Sequence, residues 1–190
     1  YTDPNSSLYD PFRDQTHLPP VLLDLAYDPN DTTEITPEHL ITSNLTLMYR
    51  QMVSNATNAT LFFGGPYRLG EVPPGHGVIE LLPHNTVHTW TGDPTQPFNI
   101  DMGAFFAAAR DPIFYAHHGT IDRMWNIWKT LGGNRRDFTD PDWLDVAFYF
   151  YDENAQPVRI RVIDVLDSNQ IGYIYKVFKL PWFISRPIPC

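Results

Sequence analysis

Four histidines fall in two short stretches with a spacing that suits metal binding. His84 and His88 stand four residues apart in PHNTVHTW, and His117 and His118 are adjacent in DPIFYAHHGTIDRMW. At i and i+4 of a helix two imidazoles leave the same side, with Cβ atoms about 6 Å apart. Both rings can then reach one ion at a metal–nitrogen distance of ~2.0–2.1 Å. An isolated H-x-x-x-H is common, and taken alone it is more often a pair of hydrogen-bonded histidines than a site. The second stretch changes that balance. His117 and His118 project about 100° apart on a helix, so one ion does not readily take both. His118 shares a face with Phe114, Ile121 and Trp125, the stripe expected to point inward. A histidine there is either hydrogen-bonded within the core or a ligand. With His84 and His88 available, a three-histidine site of His84, His88 and His118 is the better reading, and His117 is a neighbour supporting the ligands.

Three neutral imidazoles suit copper, zinc or iron, and no carboxylate is required. Glu80 lies one turn before His84, where it could orient a water or act as a base. A carboxylate early in a helix is also favoured by the helix dipole alone. Asn85, directly after His84, could orient the same water, although an asparagine there is often simply solvated. Phe105, in GAFFAAARDPIFY, reads as core packing by composition and could also shape an entrance.

Elements must position these groups. ITPEHLITSNLTLMYRQMVSN has Thr36 as N-cap, Pro37 at the first helical position and a Leu40, Leu47, Met48 stripe, which predicts a helix from about 37 to 54. Pro83 begins a short segment holding His84 and His88. A long helix is expected from Asp111 as N-cap and Pro112 as first residue to the Gly132-Gly133 pair. Its apolar positions Phe114, Ile121, Trp125 and Trp128 recur in three- and four-residue steps. Residues 1–35, rich in Pro, Asp and Asn, read as an extended connection over a core. VAFYFYDENAQPVRIRVIDV is β-branched and aromatic, with a polar turn at Asp152 to Gln156, and predicts a hairpin.

The 190 residues suit one domain with a small appendage. Thirteen Lys and Arg against 22 Asp and Glu give a net charge of −9, which argues against nucleic acid or an anionic membrane as partner. The single cysteine, Cys190, leaves no internal disulfide and no cysteine-based zinc cluster. No apolar run approaches the ~20 residues of a membrane span, so a soluble chain is expected. The opening YTDPNSSLYDP, without an initiator Met or a targeting pattern, reads as an interior piece of a longer protein. Sequons at Asn5, Asn30, Asn44, Asn55 and Asn58 weakly favour a secretory route.

PHNTVHTWTGD, followed by DMGAFFAAARDPIFYAHHGTIDRMWNIWKTLGG, closely resembles the second copper-binding half of plant polyphenol oxidases. These form the catechol oxidase and tyrosinase group of type 3 copper proteins. The tyrosinase signature D-P-x-F-aromatic-x-x-H-x-x-x-D fits Asp111, Pro112, Phe114, Tyr115, His118 and Asp122, and selects the second histidine of the pair. DFTDPDWLDVAFYFYDENAQPVRIRV resembles the plant-specific segment named for its Asp-Trp-Leu, here Asp142, Trp143 and Leu144. GYIYK, with Tyr173 and Tyr175, is similar to the tyrosine motif closing the catalytic domain.

The resemblance implies a mainly α fold, half of a type 3 copper four-helix bundle with long loops, plus a small C-terminal β appendage. Residues 1–131 would be the tyrosinase-type copper domain, CuB half only, and 132–190 the middle segment. His84, His88 and His118 would hold CuB, with His117 and Asp122 behind them. Glu80 would hold a water that Asn85 helps activate, while Phe105 and Thr89 would gate the substrate. The implied activity is copper-dependent oxidation of o-diphenols to o-quinones with O2, with monophenol hydroxylation in some members. Two copper ions serve the full-length enzyme, and one site is represented here. His17, His39 and His76 lie in no recognisable first-copper motif and read as surface or loop residues. The chain alone is therefore expected to be inactive and marginally stable without the missing N-terminal CuA half. The resemblance places it in the plastid, in the thylakoid lumen; the sequons leave a secretory or vacuolar route open. A haemocyanin-like O2 carrier and a mononuclear three-histidine zinc hydrolase, with Glu80 as base, are the alternatives.

Overall fold

The structure is a computed structural model that describes residues 1–66, 70–72, 75–176 and 179–185. Cys190 lies outside the described residues. Two compact units emerge: 1–135 together with 180–190, and 136–179.

In the first unit Thr36 is extended and its side chain accepts from the His39 amide at 3.4 Å, and Pro37 opens helix α1, Pro37–Tyr49. The helix continues without a break as a π-helical turn over Arg50–Ser54, so it ends where the sequence predicts. Helix α2, Ala59–Phe63, is capped by Asn58, whose side chain accepts from the Leu61 amide at 3.0 Å. It stops at Gly64, which has φ of +105°. A β-carbon there would sit 2.7 Å from the Gly75 carbonyl oxygen, so only glycine fits.

Helix α3, Thr86–Thr91, continues from a π-helical turn that begins at Glu80 and is kinked at Leu82 (φ −148°, ψ 125°). The long helix is α4, Ile113–Thr130. It begins one residue later than predicted, yet Asp111 still caps it, accepting from the Ile113 amide at 2.8 Å. Gly132 and Gly133, both at positive φ, end it as expected.

Packing binds α4 to the first two helices. Trp128, Met52 and Phe62 are fully buried. The Phe62 ring stacks on Trp128 at 4.5 Å, and Trp128 Nε1 donates to the Ala56 carbonyl at 2.6 Å. That hydrogen bond satisfies an indole whose burial would otherwise be costly. Phe114, Ile121 and Trp125, the other members of the predicted stripe, are only half-buried.

The N-terminal stretch is anchored more firmly than an overlying connection. Arg13, 2% exposed, donates its Nε to Asp111 Oδ2 at 2.7 Å and its Nη2 to Asp111 Oδ1. This bidentate pair spans 98 residues and fixes residues 10–17 against the start of α4. That stretch also joins the loop after α3, through a bridge between Arg13 and Gly92.

The second unit holds helix α5, Pro141–Leu144, and the antiparallel hairpin of β1, Ala147–Tyr151, with β2, Pro157–Arg161. The turn is where the sequence puts it: the Asp152 amide donates to the Gln156 carbonyl at 3.0 Å. Tyr173 and Tyr175 meet edge to face at 5.5 Å. Helix α6, Pro181–Ile184, opened by Pro181, groups with the first unit and packs on α1. Among the described residues the architecture is mainly α with one small two-stranded sheet.

Candidate metal centre

His84 stands on the π-helical turn, His88 on α3, and His117 and His118 on α4. The helices bring all four imidazoles together. The rings of His84, His88 and His118 lie 4.7, 5.0 and 5.4 Å apart and nearly perpendicular, at 70–89°. His88 Nε2 and His118 Nε2 are separated by 3.2 Å. Two nitrogens at that separation, each ~2.0–2.1 Å from a common ion, subtend about 100° at it, close to a tetrahedral angle.

Backbone and side-chain acceptors set the tautomers. His88 Nδ1–H donates to the Met102 carbonyl at 2.6 Å, which leaves its Nε2 lone pair free. His84 Nδ1–H donates to Asn85 Oδ1 at 3.0 Å, with the same result. Asn85 Oδ1 thus orients an imidazole. Met102 carried no signal in the sequence, because a backbone carbonyl leaves no residue-type signature. Its position depends on a tight loop: a β-carbon at Gly103 would lie 2.7 Å from the Asn99 carbonyl oxygen.

His117 is the more buried of the adjacent pair, the reverse of what the apolar stripe suggests. The candidate ligand atoms of His84, His88 and His117 lie within 4.8 Å of one another, so helical phase separates the pair less than expected. Two observations distinguish them. His117 Nε2–H donates to the His84 carbonyl at 3.0 Å, and His117 does not line the cavity. His118 does line it, with Nε2 facing His88 Nε2 and its ring 4.0 Å from that of Phe114.

Burial disfavours the charged form of His88, His117 and His118, and the neutral imidazole is the form that binds metal. Burial pushes His117 down to about 3, with His88 beside it adding to the effect. Burial likewise pushes His118 down to about 4, reinforced by His84. His88 is lowered by burial against the opposing pull of the Met102 carbonyl.

The cavity over the rings has a volume of about 450 Å³. Asn85, Thr89 and Phe105 line it together with His84, His88 and His118. Thr89 Oγ1 donates to the Asn85 carbonyl at 3.2 Å, and the Phe105 side chain is fully exposed at the rim. Glu80 is not in the cavity wall: its carboxylate sits 3.0 Å from His76 Nδ1 in an exposed pair. Asp122 is half-buried one turn beyond His118, its carbonyl accepting from Asn126 at 3.0 Å. His17, expected at the surface, is instead half-buried and stacked on Trp90 at 4.3 Å. His39 is exposed on α1.

Comparison with known proteins agrees with this geometry. Residues 3–131 match the family described as the common central domain of tyrosinase, and residues 137–188 match the polyphenol oxidase middle domain. A chloroplastic polyphenol oxidase of Malus domestica is 55% identical over 190 residues, covering 100% of this chain and 32% of the relative. Aureusidin synthase of Antirrhinum majus is 54% identical, covering 100% of this chain and 34% of its own length. The solved structure of latent apple tyrosinase superposes with a TM-score of 0.94 at 55% identity, covering 100% of this chain and 41% of that one. The chain thus spans about a third of the length of the curated relatives it matches. With the central-domain match extending over more than half of its residues, and four imidazoles gathered inside that stretch, the chain belongs to the tyrosinase family.

Proposed function

We propose that this chain supplies one copper site, the three-histidine CuB half, of an enzyme that oxidises o-diphenols to o-quinones with O2. The observation carrying this reading is the convergence of His84, His88 and His118 in one cavity, two of them with Nδ1 protons already committed to Asn85 and Met102. His118 is the third ligand. His117 holds the backbone of His84 through its Nε2–H and stays behind the ligands. The three residues fit copper by donor chemistry, since imidazole suits it and, among the described residues, no carboxylate lines the cavity wall.

When bound, copper supplies the redox capacity for removing two electrons from a catechol, with O2 as the final acceptor. The protein's own groups bind and orient. Phe105 at the rim and Thr89 on the wall restrict how a flat phenol ring approaches. Phe114 packs on His118 at the cavity wall. Glu80 pairs with His76 and does not line this cavity.

A dinuclear centre needs a second set of ligands, and the relatives are about three times as long as this chain. Catechol oxidation therefore belongs to the longer protein, and the chain alone is expected to be inactive. The names of the relatives favour a plastid location. The middle-domain match favours the oxidase over an oxygen carrier. No helix among the described residues is long and apolar enough to cross a membrane.

Metal analysis of the chain after copper titration tests the assignment. One copper per chain, lost in His118→Gln and retained in His117→Gln, is expected. Zinc in place of copper, or copper retained without His118, would defeat it.

A further inference from the structure

α3 carries His88, yet its six residues form too few hydrogen bonds to hold a helical turn unaided. The end nearest the ligand must be held by something else. Residues 12–17 provide it. The Asp14 amide donates to the Thr91 carbonyl at 2.9 Å, and the Asp93 amide donates to the Phe12 carbonyl at 3.1 Å. His17 makes the most specific contact: its Nδ1–H donates to the Trp90 carbonyl at 2.7 Å while its ring lies parallel to the Trp90 indole, at 2° and 4.3 Å. Asp14 Oδ2 lies 3.2 Å from the same nitrogen, and Tyr27 packs edge-on against the imidazole at 5.2 Å. The ring is therefore fixed from three sides, and its proton is directed at the helix.

The Trp90 carbonyl is one of the last four of α3, which have no partner within the helix. His88, two residues earlier, points from the same turn into the cavity. The two sides of this turn are thus held by separate acceptors and donors: Met102 fixes the His88 ring from within, and His17 fixes the backbone from outside.

We propose that His17 is a positioning residue for the metal centre: through the hydrogen bond to Trp90 it sets the pitch of α3 and so the direction of the His88 lone pair. This rests on His88 being a copper ligand. The stacked ring supplies the contact area, and the Nδ1 proton supplies the geometry.

Two variants separate these contributions. His17→Phe keeps an aromatic ring on Trp90 and removes the donor. His17→Asn places an amide N–H near the lost Nδ1 and removes the ring. The chain is titrated with copper(II) alone, and affinity and the electron paramagnetic resonance hyperfine coupling are recorded. His17→Phe is expected to weaken copper binding about tenfold, the lower end of the loss seen when a group orienting a metal ligand is removed, and to shift the hyperfine coupling. His17→Asn is expected to restore both towards the unsubstituted chain. Amide exchange in the metal-free protein supplies a second measurement. The Gly92 amide, bonded to the His88 carbonyl at 3.1 Å, should exchange faster in His17→Phe, while the Phe62 amide of α2 should not change relative to it. Unaltered Gly92 exchange, or equal affinity and coupling in His17→Phe and the unsubstituted chain, would overturn the proposal. A chain that takes up no copper at all would refute the copper-site reading, while the exchange comparison still decides whether His17 holds the helix.

Discussion

Replacing Asp111 with alanine tests how the site is tied to the N-terminal stretch. Asp111 is 1% exposed and accepts three hydrogen bonds: two from the Arg13 guanidinium and one from the Ile113 amide. Removing the carboxylate leaves the charge of Arg13 buried without its partner, at a cost of about 3–5 kcal/mol. Losing the cap adds about 1 kcal/mol. The sum, about 4–6 kcal/mol, is comparable to the whole stability of many domains, about 5–15 kcal/mol. At an m-value of about 2 kcal/mol/M it lowers the urea midpoint by about 2 M or more. Asp111→Asn separates the two effects, because asparagine caps about as well as aspartate, so it should recover about 1 kcal/mol. Asp10 can soften the loss. Its carboxyl is raised by burial and further by Asp111 and Asp101, so removing Asp111 favours its ionised form beside Arg13. Asp10→Asn in the Asp111→Asn background should therefore destabilise more than it does in the unsubstituted chain. Urea unfolding followed by tryptophan fluorescence reads each of these proteins. A loss below about 1 kcal/mol for Asp111→Ala, with Asp10 intact or replaced, would refute the buried-pair reasoning.

Gly103→Ala should push the loop off Asn99, moving the Met102 carbonyl away from His88; overpacking of this kind costs about 1–3 kcal/mol, and copper titration should show a weaker site while Trp128 fluorescence keeps its native maximum. Trp128→Phe keeps the stack on Phe62 but leaves the Ala56 carbonyl unpaired, so thermal unfolding should report a loss of about 1–3 kcal/mol; an unchanged melting temperature would count against the role of that bond. For pH, His88, His117 and His118 all titrate below 6.5 in the fold, His118 near 4 and His117 near 3. The unfolded chain binds their protons first as pH falls through about 6.5, so stability of the metal-free protein should drop between pH 7 and pH 5 and level off near the folded values. A urea midpoint constant over that range would contradict neutral burial of these rings.

Glu80 and His17 show what residue type and spacing leave open. Glu80 stands one turn from His84 in the chain, yet the kink at Leu82 turns its carboxylate out of the cavity wall to His76. A helical register carried through Pro83 does not survive that kink. His17 belongs to no motif, and its partner Trp90 lies 73 residues away. Nothing local could join them. Asn85, adjacent to His84 in the chain, lines the cavity with its oxygen on the His84 imidazole.

Local chemistry was enough for what neighbouring residues decide among themselves: the Thr36 and Asp111 caps, the glycine stop after α4, the turn from Asp152 to Gln156, and His118 facing the same side as Phe114. Each depends on interactions within a few residues, whose geometry the backbone fixes. Which nitrogen of each imidazole is free, which carbonyl holds it, and which strap clamps α3 were decided by the tertiary structure, because those partners are backbone atoms and distant side chains that only packing brings within hydrogen-bonding reach.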